Sequence, residues 1–318
     1  MIRMRQMGAA LLAVTIATPA AAAPQAEAVT IAGPEGPLAG TLVRGTGRGP
    51  AVVIIPGSGP TDRDGNSPLG ITAGPYRLLA EALAARGVTS IRIDKRGLFG
   101  SRAAVADPNA ATIPAYADDA RAWAMLAAER AGAKCAWLVG HSEGGLVALK
   151  AAQDARGLCG VILIAAPGRR LSDVMREQFR ANPANAPILA PVLKMLDTIE
   201  AGGTVDPATL PVPLPNMFPV PVQRYMAGLF ALDPAKLAAS ARVPVVIVQG
   251  ESDLQVGVAD ARRLAAARPR AMLVLLPGVN HVLKQVGDDR AANRRSYADA
   301  SLPIAAGVVD AVARAVGK

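Results

Sequence analysis

The chain has 318 residues, a formal net charge of +9, and 51% hydrophobic against 19% charged residues. That balance excludes a disordered chain and allows one large buried core. The basic residues are scattered, and no run interleaves aromatics with Lys or Arg, which excludes a nucleic-acid platform.

The N-terminus reads as an export signal. Arg3 and Arg5 precede an apolar, uncharged stretch over residues 7–18, and residues 19–23 are small. Cleavage after Ala22 or Ala23 is expected, so 1–23 is assigned as a signal peptide and the mature protein is expected in the periplasm or outside the cell. The apolar stretch is short for a bilayer span, and no later one is long enough. No Cys lies near the cleavage site, so no stable membrane anchor is expected after cleavage.

Past the signal, 29–31 and 38–43 have strand character, separated by the turn residues 33–37. Ala51-Val52-Val53-Ile54-Ile55 is a short apolar run closed by Pro56-Gly57, the mark of a strand buried on both faces. A regular alternation follows. Helices are expected over 75–86, 115–131, 143–155, 258–267 and 296–316, and strands over 88–93, 136–139, 161–165, 245–248 and 272–276. Strands alternating with helices predict a mainly parallel sheet covered on both faces, with the leading hairpin at one edge.

Residues 167–242 break this rhythm. They carry Pro211, Pro213, Pro215, Pro219 and Pro221 among apolar side chains, and no convincing buried strand. A strandless interval of that length reads as an insertion with a role. We assign it as a partly helical cap whose apolar residues mostly pack a core of their own, leaving 24–166 and 243–318 as the sheet domain.

The chemistry centres on Gly140-His141-Ser142-Glu143-Gly144, which runs from a strand into a helix. In that context a Gly-x-Ser-x-Gly sequence makes a tight turn that exposes the serine hydroxyl and aims a helix N-terminus at the site. Side chains two residues either side of Ser142 would clash, hence the glycines. A serine nucleophile needs a base, and the chain has two histidines. His141 belongs to the turn and is expected to point away from the hydroxyl, which leaves His281. The acid should follow the preceding strand. Asp253 is chosen over Glu251, too close to the strand end, and over Asp260, within the next helix. Two backbone N–H donors are expected for an oxyanion, one from Glu143 and one from the loop Pro56-Gly57-Ser58-Gly59-Pro60. Ser58 is the chosen donor and Gly59 the alternative, with Gly57 and Gly59 expected to contact substrate.

Taken together, 56–66, Asp94-Lys95-Arg96-Gly97 with Gly100-Ser101, 140–145, 250–256 and Asn280-His281 resemble the α/β-hydrolase superfamily over nearly all of the mature chain. More narrowly, the chain is similar to secreted bacterial esterases and serine aminopeptidase-like hydrolases. Pro56-Gly57 stands where many esterases have His-Gly. The resemblance implies an α/β-hydrolase fold and hydrolysis of a small-molecule ester through an acyl-enzyme, with no cofactor. Two rivals stay open: a peptidase using the same residues, for which Asp173, Glu177, Asp197, Glu200, Asp206 and Asp233 are available carboxylates, and an inactive binding protein, against which an intact Ser, Asp and His argue. Dehalogenases and epoxide hydrolases use an aspartate where Ser142 stands. The sequence carries no sign of oligomeric state.

Asp62, Asp64 and Asn66 alternate as in a calcium loop, but Gly65 is fourth rather than sixth and Ala73 holds the twelfth place, where a Glu is required. No metal site is assigned there; bracing of the neighbouring loop is expected. A structural ion pair is expected for Asp94 and Arg96. In this fold Cys135 and Cys159 begin neighbouring parallel strands, at the end of the sheet away from the site, and a disulfide between them is open.

Overall fold

The inner strands of this chain are apolar along their whole length, so they must be covered on both faces. The computed structural model describes residues 25–317, and the signal-peptide assignment to residues 1–23 lies outside them. Eight strands form one sheet: β1 (Ala26–Ala32), β2 (Pro37–Val43), β3 (Ala51–Ile55), β4 (Thr89–Ile93), β5 (Ala136–His141), β6 (Leu158–Ile164), β7 (Val245–Gly250) and β8 (Met272–Leu276). Their spatial order is β1-β2-β4-β3-β5-β6-β7-β8. The β1–β2 and β2–β4 pairs are antiparallel and the rest are parallel. This is the expected parallel sheet with an antiparallel hairpin at one edge.

Alternate residues of β3 serve opposite faces. Ala51, Val53 and Ile55 join the cluster containing Trp123 of α2 (Ile113–Ala131) and Val147 of α3 (Glu143–Ala151). Val52 and Ile54 join the one containing Leu79 and Leu83 of α1 (Pro75–Ala84). α2 begins two residues before the expected start: Thr112 caps it by accepting from the Ala115 amide, Pro114 sits in the first turn, and Gly132 ends it at φ 65°.

Residues 167–242 form α4 (Leu171–Ala181), α5 (Leu189–Glu200), α6 (Leu214–Met217), α7 (Val220–Phe230) and α8 (Pro234–Ser240), with short 3-10 turns and no strand. The helices of this segment pack mainly on one another, α5 against α4 and α7, with α8 against α3. Their buried Met195, Leu196, Phe218, Met226 and Phe230 are continuous with the cluster that contains Trp123 and Val147.

After β7 come α9 (Val258–Ala267), then α10 (Arg290–Arg295) and α11 (Ala306–Val316) beyond β8. The helix expected over 296–316 is therefore shorter. Residues Ser296–Ala298 make one 3-10 turn and α11 starts at Ala306, because Pro303 lacks an N–H and pushes Leu302 out of the helical region. α3 likewise stops at Ala151 rather than 155. The open cysteine question closes: Cys135 and Cys159 are disulfide-bonded, with Cα atoms 5.3 Å apart, at the N-terminal ends of β5 and β6.

Candidate active site

The parallel strands all release their chains at the same edge of the sheet, so loops far apart in sequence meet there. β5 ends at His141, and Ser142 follows with φ 52° and ψ −122°, a backbone conformation rare for a side-chain-bearing residue. The surrounding structure compels it. A Cβ on Gly140 would fall 2.2 Å from the Gly144 carbonyl oxygen, and one on Gly144 would fall 2.4 Å from that of Ile55. Only glycine permits these approaches. α3 starts at Glu143, so the Glu143 amide is one of the helix's free N-terminal donors.

Asp253 and His281 meet above this turn. His281 Nδ1 lies 2.8 Å from Asp253 Oδ2. The other oxygen, Oδ1, accepts from the amides of Gln255 at 2.7 Å and Val256 at 2.9 Å. Burial alone would raise the Asp253 carboxyl; His281 and the two amides outweigh it and hold the group below the usual carboxylate range. A carboxylate on Nδ1 fixes the proton there and leaves Nε2 as the free base nitrogen. Glu251 is exposed, and Asp260 sits in α9, paired with Arg169 and accepting from the Gly168 amide. Among the described residues, no hydrogen bond joins the Ser142 hydroxyl to the His281 ring; the link between the two loops is His141, the residue before Ser142, whose ring bonds the His281 carbonyl. Asn280 anchors the same loop, donating to Asn293 Oδ1 and Ser296 Oγ.

Both ring nitrogens of His141 are engaged with groups other than the Ser142 hydroxyl. Its Nε2 lies 2.8 Å from the His281 carbonyl oxygen, and its ring centroid is 4.7 Å from that of His281. A carbonyl only accepts, so Nε2 carries the proton. Nδ1 then accepts from the Tyr76 hydroxyl at 2.8 Å, and that hydroxyl accepts from the Gly57 amide at 3.1 Å. Burial, with His281 nearby, pushes the His141 pKa down to about 3. Burial pushes the Tyr76 phenol up, so it stays a donor. The chain Gly57, Tyr76, His141, His281 ties the Gly57 loop to the histidine loop through a neutral imidazole.

Of the loop residues singled out in the sequence, Gly57 is buried and its amide is committed to Tyr76. A Cβ there would lie 3.3 Å from that of Ser142. Ser58 and Gly59 are exposed. Among the described residues, neither the Ser58 amide nor the Glu143 amide has a hydrogen-bond partner. Asp62 Oδ1 braces this region, accepting from the amides of Asp64 and Asn66. Asp64 pairs with Arg92. Among the described residues no cluster of three metal-binding side chains occurs.

Asp94 and Arg96 do not pair with each other. Asp94 binds Arg63 and Arg96 binds Asp119, because each finds a closer partner on another element than across the turn that follows β4. The residue between them was passed over. Lys95 is buried, its Nζ donates to the Gly57 carbonyl at 2.8 Å, and it lies 3.5 Å from Glu143 Oε1. Glu143 Oε1 also accepts from the Tyr225 hydroxyl of α7 at 2.9 Å. Burial, reinforced by Glu143, raises the Tyr225 phenol far above its ordinary value and keeps it protonated. The placement of Lys95 just after β4, at the same strand edge as Ser142, was the signal that could have found it. Tyr76 and Tyr225 gave none, because an aromatic on a helix reads as core.

The model of the Alpha/beta hydrolase family matches residues 52–290. Esterase EstD of Thermotoga maritima is 25% identical over 264 residues, which cover 80% of this chain and 59% of that protein. The chain thus spans about 59% of the length of the curated relative it matches. Among solved structures, the Pyrococcus furiosus esterase Pf2001 superposes with a TM-score of 0.57 at 16% identity, covering 96% of both chains. A puromycin-hydrolyzing peptidase of Mycobacterium tuberculosis gives a TM-score of 0.53 at 18% identity, over 88% of this chain and 39% of that one. These two likenesses are likenesses of fold.

Proposed function

The chain belongs to the alpha/beta hydrolase family, and from that premise we propose that it is a serine hydrolase that cleaves carboxylic esters of small molecules through Ser142, His281 and Asp253. The observation that carries this reading is the buried Asp253 carboxylate on His281 Nδ1, beside a serine held at φ 52°. Ser142 Oγ attacks the ester carbonyl carbon while His281 Nε2 takes its proton; the Ser142–His281 link forms as substrate binds. The oxyanion rests on the free amides of Ser58 and Glu143. The alcohol leaves with the proton from His281. Water then attacks the acyl-enzyme, again giving a proton to His281, and the carboxylic acid departs as Ser142 recovers its own.

An ester is favoured over a peptide amino terminus for one reason. The carboxylates that would bind an ammonium group are already engaged. Asp173, Asp197 and Glu200 face Arg176, and Glu177 faces Arg169. Asp206 and Asp233 accept from helix-end amides. Residues 167–242 are read as the cap that shapes the substrate site, with Tyr225 as its link to Glu143. Residues 1–23 are read as an export signal, which N-terminal sequencing of the mature protein would check by a start at Ala23 or Pro24.

Turnover on a panel of aryl esters of rising chain length, beside aminoacyl anilides, tests the substrate class. Ser142→Ala is expected to abolish ester turnover and fluorophosphonate labelling; wild-type turnover in that variant would end the proposal.

A further inference from the structure

We propose that Lys95 is the positioning residue of the oxyanion site: by holding the Gly57 carbonyl it aims the Ser58 N–H at the developing charge. This rests on the serine hydrolase reading above. A trans peptide is planar, so the carbonyl of Gly57 and the N–H of Ser58 belong to one rigid unit and point in opposite directions. Lys95 Nζ grips that carbonyl at 2.8 Å from the buried side, while Ser58 is exposed. Fixing one end of the unit therefore fixes the other. The Gly57 amide, which belongs to the preceding peptide unit, is held separately by Tyr76 at 3.1 Å, so the units on both sides of the Gly57 Cα are anchored. A positive donor on the carbonyl also polarises the peptide, which strengthens its N–H as a donor.

The same nitrogen lies 3.5 Å from the side chain of Glu143, whose main-chain N–H is the second donor. One side chain thus reaches toward both donor residues from beneath. Its position at the end of β4 lets it do so without touching substrate.

Lys95→Met alone would leave Glu143 buried without its partner, which is destabilising whatever Lys95 does in catalysis. The test therefore compares Glu143→Gln alone with Lys95→Met/Glu143→Gln and Lys95→Gln/Glu143→Gln. The Gln side chain is one bond shorter than Lys and does not span the gap to Gly57. The measurements are kcat and KM on an aryl ester and the inhibition constant of a boronic acid, each per folded protein by near-ultraviolet circular dichroism. Both double variants are expected to lose about tenfold to a hundredfold in kcat relative to Glu143→Gln. KM should stay within about twofold, and boronic acid affinity should fall with kcat. Double variants that match Glu143→Gln in both kcat and boronic acid affinity would overturn the proposal and leave Lys95 as a counter-ion only. Failure of the serine reading looks different, since Ser142→Ala would then keep its turnover.

Discussion

His281 Nδ1 lies 2.8 Å from Oδ2 of Asp253, a carboxylate whose side chain is wholly buried. An amide in that place would donate rather than accept and would hold the imidazole in the wrong tautomer. Asp253→Asn is therefore expected to lower kcat by roughly 10³- to 10⁴-fold with little change in KM. Steady-state kinetics on an aryl ester, with circular dichroism to confirm folding, checks this.

His141 makes stability depend on pH. Burial holds its pKa down to about 3 in the folded protein, against about 6.5 when unfolded. Between those values the unfolded chain binds the proton and the folded one does not. Stability from this group is complete above the unfolded pKa, falls as pH drops from about 6.5 toward 3, and levels off below. His141→Gln removes the term. Urea unfolding at pH 7 and pH 4 should show the wild type losing about 3 kcal/mol more than the variant across that interval. Equal losses would show that the imidazole is accessible to protons in the folded state.

Tyr76 contributes one hydroxyl to two partners, Gly57 and His141. Tyr76→Phe leaves a buried amide and a buried imidazole nitrogen unsatisfied. The expected cost is about 1–3 kcal/mol per group, read as a lower urea midpoint at unchanged slope. Because the Gly57 loop is freed at the same time, kcat should fall as well.

The disulfide is expected to act on stability alone. It closes a loop over a sequence separation of 24 at the edge of the sheet opposite Ser142. Replacing both cysteines by Ala should cost about 3 kcal/mol, mainly through the unfolded chain, and leave kcat and KM within error. Thiol titration of the unfolded, unreduced protein should find no free thiol.

What was legible in the sequence follows from the range of the interactions. The inner strands announce themselves by apolar runs such as 51–55, and the turn at Ser142 by glycines that a local clash requires. That Asp253 and His281 meet could be read from chain order, because each follows its own parallel strand. Contacts among elements distant in sequence were not legible. Tyr76 to His141 spans 65 positions and Tyr225 to Glu143 spans 82. Neither partner's residue type marks the pairing. The ion pair expected for Asp94 and Arg96 does not form, because their partners, Arg63 and Asp119, sit on other elements that the local sequence does not reveal. The late start of α11 was written in Pro303, and the helical periodicity beyond it concealed the break.

The Tyr225 hydroxyl on Glu143 bears on engineering this scaffold. Segments such as 167–242 are natural units to exchange between related proteins when a new substrate range is sought. Here the exchange is not modular, because α7 delivers the Tyr225 hydroxyl that shares the Glu143 carboxylate with Lys95. A graft must bring an equivalent donor to that place. A graft without one leaves the Glu143 carboxylate to Lys95, which also holds the Gly57 carbonyl. On the proposal made for Lys95, such a chimera is expected to turn over slowly even where its substrate pocket is well formed.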